Sequence, residues 1–318
     1  MPPHGHGSHG HSESAPHHHD HDHDHHGLKD RAKSSRRALK VALLLNAAFL
    51  VVEASVGLWF GSLSLLSDAA HMVSDVAALA LALVAAFLAT TPETSRRPFG
   101  LVRAEILGAF VNAIALLVAC SLIFREAVAR LIAGPPSVPG MPILIVGTLG
   151  LCINLGSAFY LWRASKGGDL NVRGALLHML ADALGSVGAM VAAILTLTLQ
   201  ITSADAIVSL LIGVLVLFSA WGLLRESTQV LLQFAPSGFD RDALGQRLLA
   251  IVGVRAVHAV RAWSLGSGHV VVTAHLTTEP NTPAAPILRE AERLLRHDFG
   301  AAYITVQLDP EDAACAEA

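Results

Sequence analysis

Residues 64–89 read SLLSDAAHMVSDVAALALALVAAFLA. A run of this length can cross a ~30 Å hydrocarbon layer, which takes about 20 helical residues, yet it holds three ionisable side chains, Asp68, His71 and Asp75. An aspartate at the centre of a membrane helix costs about 2.5–3.5 kcal/mol on insertion scales, so each such residue needs a partner or a task. The partner lies further along the chain. Residues 174–199 form a second apolar run, and within it His178-Met179-Leu180-Ala181-Asp182 repeats the phrase His71-Met72-Val73-Ser74-Asp75. At a spacing of i and i+4 each His shares a helix face with its Asp. Two such helices packed face to face bring two imidazoles and two carboxylates to one depth, a tetrahedral His2Asp2 set that suits Zn²⁺. A single His–Asp pair is also explained as a hydrogen-bonded contact between helices. Two identical pairs in otherwise dissimilar spans point to a metal.

The donor set narrows the cargo. Without sulfur it does not favour Cu⁺, and with two imidazoles it is softer than the all-oxygen cages of Ca²⁺ or Mg²⁺. Zn²⁺ leads, followed by Co²⁺ and Cd²⁺. Asp68 lies three residues before His71 and is read as a gate or outer group, or as an occasional ligand, while Asn46, Glu53, Asn112 and Asn154 are read as helix–helix hydrogen-bonding groups. Such a site also binds protons, and a proton can take the place of a departing ion. Zn²⁺/H⁺ antiport with alternating access is therefore the expected mechanism.

Four further apolar runs, at about 39–60, 104–124, 141–163 and 203–224, bring the expected spans to six, with turn residues such as Gly134-Pro135-Pro136 between them. The composition agrees: 53% of the 318 residues are hydrophobic and 15% charged, against roughly 25% charged in an average soluble domain. A net charge of -3 and few aromatic residues argue against a nucleic-acid partner. Cys120, Cys152 and Cys315 include no CxxC pair, so no disulfide framework or thiolate zinc site is indicated. The first 26 residues lack the apolar core of a secretory signal. Lys and Arg crowd the N-terminal flank (Lys29 to Lys40), the second loop (Arg96, Arg97, Arg103) and the fourth (Arg163, Lys166, Arg173). By the positive-inside rule both termini are cytoplasmic, and the short loops favour a bacterial inner membrane. Trp59, Trp162 and Trp221 near span ends fit interfacial anchors.

Three segments result: a disordered His-rich tail over 1–30, an all-α six-helix transmembrane domain over 31–234, and a small cytoplasmic domain over 235–318. In the last, helical runs at about 240–252 and 284–297 and alternating runs at 256–263, 269–277 and 302–308 predict an α-β-β-α-β, ferredoxin-like α+β module. About 80 residues make a marginal core, which favours docking to a second copy. The tail holds eleven of the 17 histidines, between His4 and His26, among Gly, Ser and Asp. It has too little apolar surface to fold, and by raising the local zinc concentration it would act as a collector near the site.

Residues 61–75 (GSLSLLSDAAHMVSD), 99–108 (FGLVRAEILG), 178–182 (HMLAD) and the stretch from His258 through Trp263 to His275-Leu276 together resemble the cation diffusion facilitator family, in its CzcD-like, zinc-transporter branch. The resemblance spans nearly the whole chain. It implies six spans, a homodimer, a metallochaperone-like cytoplasmic domain and proton-driven zinc efflux, with His at the first position of both motifs marking zinc preference. It further implies a second metal cluster in the cytoplasmic domain, where His258, His275 and Asp309 fall on matching positions. Gln307 stands where that pattern has a His, which argues against a complete binuclear centre. The loop from Thr90 to Val102 has no His, so a loop site found in some relatives is not expected. Three rivals remain, a membrane-bound metal sensor, a membrane metalloenzyme and a channel; the second lacks HExxH and an open coordination position, and ligands that hold an ion tightly argue against the rapid permeation of the third. The chain is thus expected to be no enzyme and to need no catalytic cofactor.

Overall fold

A computed structural model of the chain describes residues 22–60, 63–133, 140–165, 168–199, 204–266 and 268–309. Some side chains inside its helices, those of Asp68 and His71 among them, lie outside that description. Six long helices come first: α1 Asp22–Phe60, α2 Leu63–Leu88, α3 Ala104–Ala133, α4 Gly140–Ser165, α5 Leu170–Leu199 and α6 Ala204–Leu231. The shortest has 26 residues, about 39 Å at 1.5 Å per residue, enough to cross a bilayer. Among the described residues, Ala32–Val56, Ala104–Ala129 and Ile207–Leu231 are long and apolar enough to span by themselves, and Met72–Leu88 is a shorter apolar stretch. Large apolar side chains such as Trp59, Ile132, Leu211 and Phe218 point outward, which in a soluble protein would be a liability and in lipid is the rule.

α1 opens at Asp22, so the last part of the 1–30 segment read as unstructured is helical; residues 1–21 lie outside the described residues. A helix nucleated in its apolar part adds one hydrogen bond for each residue it extends, and carries on into polar sequence without needing a core there. α5 also begins ahead of its apolar run. The Asp169 carboxylate accepts from the Val172 amide at 2.9 Å, a side-chain cap that starts the helix at Leu170.

α5 is central, touching each of the other five helices. Small residues allow this: Gly108 of α3 packs so tightly that a Cβ there would stand 2.7 Å from Ala85 on α2 and 2.7 Å from Asn171 on α5. Polar side chains pin further contacts. Asn46 on α1 donates to Ser157 on α4 at 3.0 Å, and Asn171 donates to the Ala82 carbonyl of α2 at 2.6 Å.

The C-terminal part runs α7 Arg241–Leu249, β1 Val254–Gly266, β2 His269–Thr278, α8 Ala284–His297 and β3 Ala301–Asp309, the expected α-β-β-α-β order. β1 pairs antiparallel with β2, and β2 parallel with β3, in the order β1-β2-β3. A helix must carry the chain between parallel neighbours, and α8 does so. Both helices cover one sheet face, with Leu244, Leu248, Ile287, Ala291 and Leu295 over Val272, Ala274 and Leu276. The Asp240 carboxylate caps α7, accepting from the Asp242 and Ala243 amides.

The two parts touch through the α2–α3 loop. Tyr303 of β3 donates its hydroxyl to Glu93 at 2.8 Å, and its ring meets Phe99 edge-on with centroids 5.0 Å apart. Val102 lies against Gly266 of β1 so closely that a Cβ on Gly266 would come within 2.6 Å of it.

Candidate metal centre

The helical repeat places Asp75 on α2 and His178 and Asp182 on α5, one turn apart on one face. Packing of α2 on α5 brings His178 Nε2 to 3.0 Å from Asp75 Oδ1 and 3.8 Å from Asp182 Oδ2. The three residues can present one ligand atom each with all three within 4.8 Å of one another. Two ligands about 2.0 Å from a tetrahedral ion stand roughly 3.3 Å apart, so these separations are those of neighbouring corners of a zinc shell. His178 is 9% exposed, and both its Nδ1 and Asp182 Oδ2 are buried without a hydrogen-bond partner among the described residues. The unpaired Asp182 oxygen at this depth is unfavourable unless a cation satisfies it, whereas His178 Nδ1 cannot reach an ion held by Nε2 of the same ring. Around them the layer is apolar, with Met179 and Leu79 fully packed, which strengthens the attraction of two carboxylates for a divalent ion. Of the four residues singled out in the sequence, the fold brings Asp75, His178 and Asp182 together. The fourth, His71, lies one turn before Asp75 on α2; its side chain, like that of Asp68, lies outside the described residues.

A second cluster sits on the sheet. His258 and His275 are direct cross-strand partners, and Thr277 faces Asp309. Asp309 Oδ2 is 3.0 Å from His258 Nε2 and 3.3 Å from His275 Nδ1, and the two rings are 5.5 Å apart. These distances also match adjacent corners of a tetrahedral shell. Gln307, two residues back on the same strand face, donates its amide to the other oxygen of Asp309 at 2.7 Å. The sequence marked Gln307 only as a missing ligand. In the fold it orients the carboxylate, as outer groups around metal ligands do, and its i, i+2 spacing from Asp309 was the available signal. β1 bulges next to His258: the ladder steps from His258↔His275 to Arg261↔Thr273, and Ala259 takes φ 51° to absorb the extra residue. The bulge aims His258 at Asp309 while Val260 returns to the core.

Known proteins resemble the chain along most of its length. Residues 39–232 match the family model described as cation efflux transmembrane domain, and residues 236–311 match the cation efflux protein, cytoplasmic domain. The zinc transporter ZitB of Yersinia pestis is 40% identical over 87% of this chain and 88% of its own length. The metal cation efflux system protein CzcD of Cupriavidus metallidurans is 37% identical over 91% and 90% respectively. The cadmium, cobalt and zinc/H(+)-K(+) antiporter of Bacillus subtilis is 34% identical over 87% and 90%.

Proposed function

The chain belongs to the cation diffusion facilitator family of cation efflux proteins, and from that membership we propose that it exports Zn²⁺ from the cytoplasm, with Co²⁺ and Cd²⁺ as lesser cargoes. The family transports ions and is not a family of enzymes. The observation that supports zinc most directly is the convergence of Asp75, His178 and Asp182 across α2 and α5. His71, one turn from Asp75, completes the shell as its fourth ligand. Two carboxylates neutralise one divalent charge. When the ion leaves, protons replace it, so zinc runs outward as protons run inward.

Orientation follows the excess of Lys and Arg on the N-terminal flank and the second and fourth loops, which puts both termini and the C-terminal domain in the cytoplasm, here of a bacterial inner membrane. In that domain the His258, His275 and Asp309 cluster binds zinc as a regulatory ligand, and the domain joins two copies into a homodimer. The histidines of the tail collect zinc near the cytoplasmic mouth. Purified protein in sealed liposomes tests the exchange: zinc flux should follow an imposed pH gradient and reverse when the gradient is reversed. Zinc flux that ignores the gradient would exclude proton coupling.

A further inference from the structure

α2 and α5 meet at two levels. His178 stands 3.0 Å from Asp75, and seven residues along each helix, toward the C-terminal domain, Asn171 donates to the Ala82 carbonyl at 2.6 Å. Seven residues are nearly two turns, so the two contacts lie about 10.5 Å apart along the helix axes. Leu79 on α2 and Ala175 on α5 lie between the two levels as part of one buried apolar cluster. On this side the His–Asp cluster is closed by a packed layer with an amide clasp at its rim.

The clasp is not fully satisfied. Asn171 is completely buried, yet its Oδ1 has no hydrogen-bond partner among the described residues. Asn112 on α3 is 3% exposed, and neither its Oδ1 nor its Nδ2 has a partner among the described residues. Buried amides left unpaired are unfavourable and call for an explanation. The two are diagonal neighbours across the α3–α5 contact. Asn171 Oδ1 lies over Gly108, one turn before Asn112, while Asn112 Nδ2 would stand 3.0 Å from a Cβ on Gly174, nearly one turn after Asn171. Beside the clasp, then, is a second amide whose hydrogen-bonding capacity is unused in this conformation.

We propose that Asn171 is a positioning residue for ion access from the side of the C-terminal domain. Its amide exchanges between the Ala82 carbonyl, which holds α2 against α5, and the Asn112 amide, which lets the two helices part. The Ala82 carbonyl keeps its own helical hydrogen bond in both arrangements, and Asn112 gains a partner in the open one. Two packings with balanced hydrogen bonding are what alternating access needs. Once parted, the amide oxygens of Asn171 and Asn112 line the way to Asp75 and His178 and offer neutral donors of lone pairs to a cation.

This gate rests on the transporter reading above, and its test needs no zinc. Leu79, 1% exposed between the clasp and Asp75, is replaced by cysteine in the full chain with the native cysteines changed to alanine. Labelling by a membrane-impermeant maleimide, added to liposomes on the side of the C-terminal domain, is then timed. Asn171→Ala should label at least about 5-fold faster than the Leu79→Cys parent, and Asn112→Ala at least about 5-fold slower, a coupling at the low end of ordinary allosteric effects. Opposite signs are the signature, because general loosening would speed both. Equal signs, or no change in either, overturn the exchange. Asn112→Ala removes no side-chain hydrogen bond seen among the described residues, so it decides the matter even if Asn171→Ala folds poorly: labelling as fast as the parent's refutes the proposal. Zinc flux measured in the same liposomes separates the two readings, since its absence would count against transport while leaving the signs of labelling to judge the gate.

Discussion

Ala259 sits at φ 51°, a conformation that costs a residue with a Cβ roughly 1 kcal/mol, beside His258, whose imidazole meets Asp309. The strain has a local use, since the bulge it belongs to sends His258 to the cluster face and Val260 to the core. Glycine adopts this conformation freely, so Ala259→Gly should be tolerated or stabilise the C-terminal domain by up to about 1 kcal/mol, and Ala259→Val should destabilise it; urea melts followed by the fluorescence of Trp263, in full-length protein with Trp59, Trp162 and Trp221 changed to phenylalanine, would record the order. Gln307 acts through Asp309. Gln307→Leu removes the hydrogen bond that turns Asp309 Oδ2 toward the two imidazoles, and should weaken zinc binding at this cluster by about 10-fold. Competition with a chromophoric chelator, in protein that lacks residues 2–27 and has Asp75 and Asp182 changed to alanine, isolates that cluster. His258, His275 and Asp309 were legible only through family resemblance. β1 and β2 follow one another directly, but nothing local in the sequence says that β3, beyond α8, pairs parallel with β2 in the register that brings Asp309 to the two imidazoles, and the role of Gln307 depends wholly on that register.

Among the elements, α5 organises the bundle, and the stretch Phe99–Gly108 shows how its neighbours are fitted to it. Gly100 turns the loop at φ 61°, where a Cβ would come within 2.3 Å of the Thr91 carbonyl oxygen, and Gly108 lets α3 lie directly on Ala85 and Asn171. Gly108→Val should overpack this three-helix contact and cost about 1–3 kcal/mol, seen as a lowered melting temperature in detergent, whereas the same change at Gly156, where nothing stands within 4 Å of a Cβ, should leave it nearly unchanged. The number of spans and the two His–Asp phrases could be read from the sequence, because hydropathy and an i, i+4 spacing are local properties. Asn171 could not. It precedes the apolar run beginning at 174 and reads as loop, and only the Asp169 cap carries α5 back to include it. Of the asparagines expected to join helices, Asn46 links α1 to α4 through Ser157, whereas neither polar atom of the Asn112 side chain has a hydrogen-bond partner among the described residues.

For the molecule as a whole, the contact between Tyr303 and the α2–α3 loop links the sheet to the helix that carries Asp75. Burial, with the hydrogen bond to Glu93 added, pushes the Tyr303 hydroxyl up to about 12. A raised value means the protonated phenol is favoured in the folded protein, so its share of the contact is fully present below the unfolded value of about 10 and is lost as pH rises toward 12. The link should therefore be indifferent to pH across the physiological range. A spectrophotometric titration should show one phenol ionising late in the parent and earlier in Glu93→Gln. This contact escaped sequence reading because it joins segments from two domains, neither of which carries any pattern naming the other. The most direct test of the whole is the accumulation of radiolabelled zinc in everted membrane vesicles by the parent, Asp75→Ala and Asp182→Ala. The parent should accumulate zinc when a proton gradient is imposed, and both variants, inserted at equal levels, should fall to background. Transport by either variant at the parent's rate would mean that the cluster between α2 and α5 is a structural contact and that zinc crosses elsewhere.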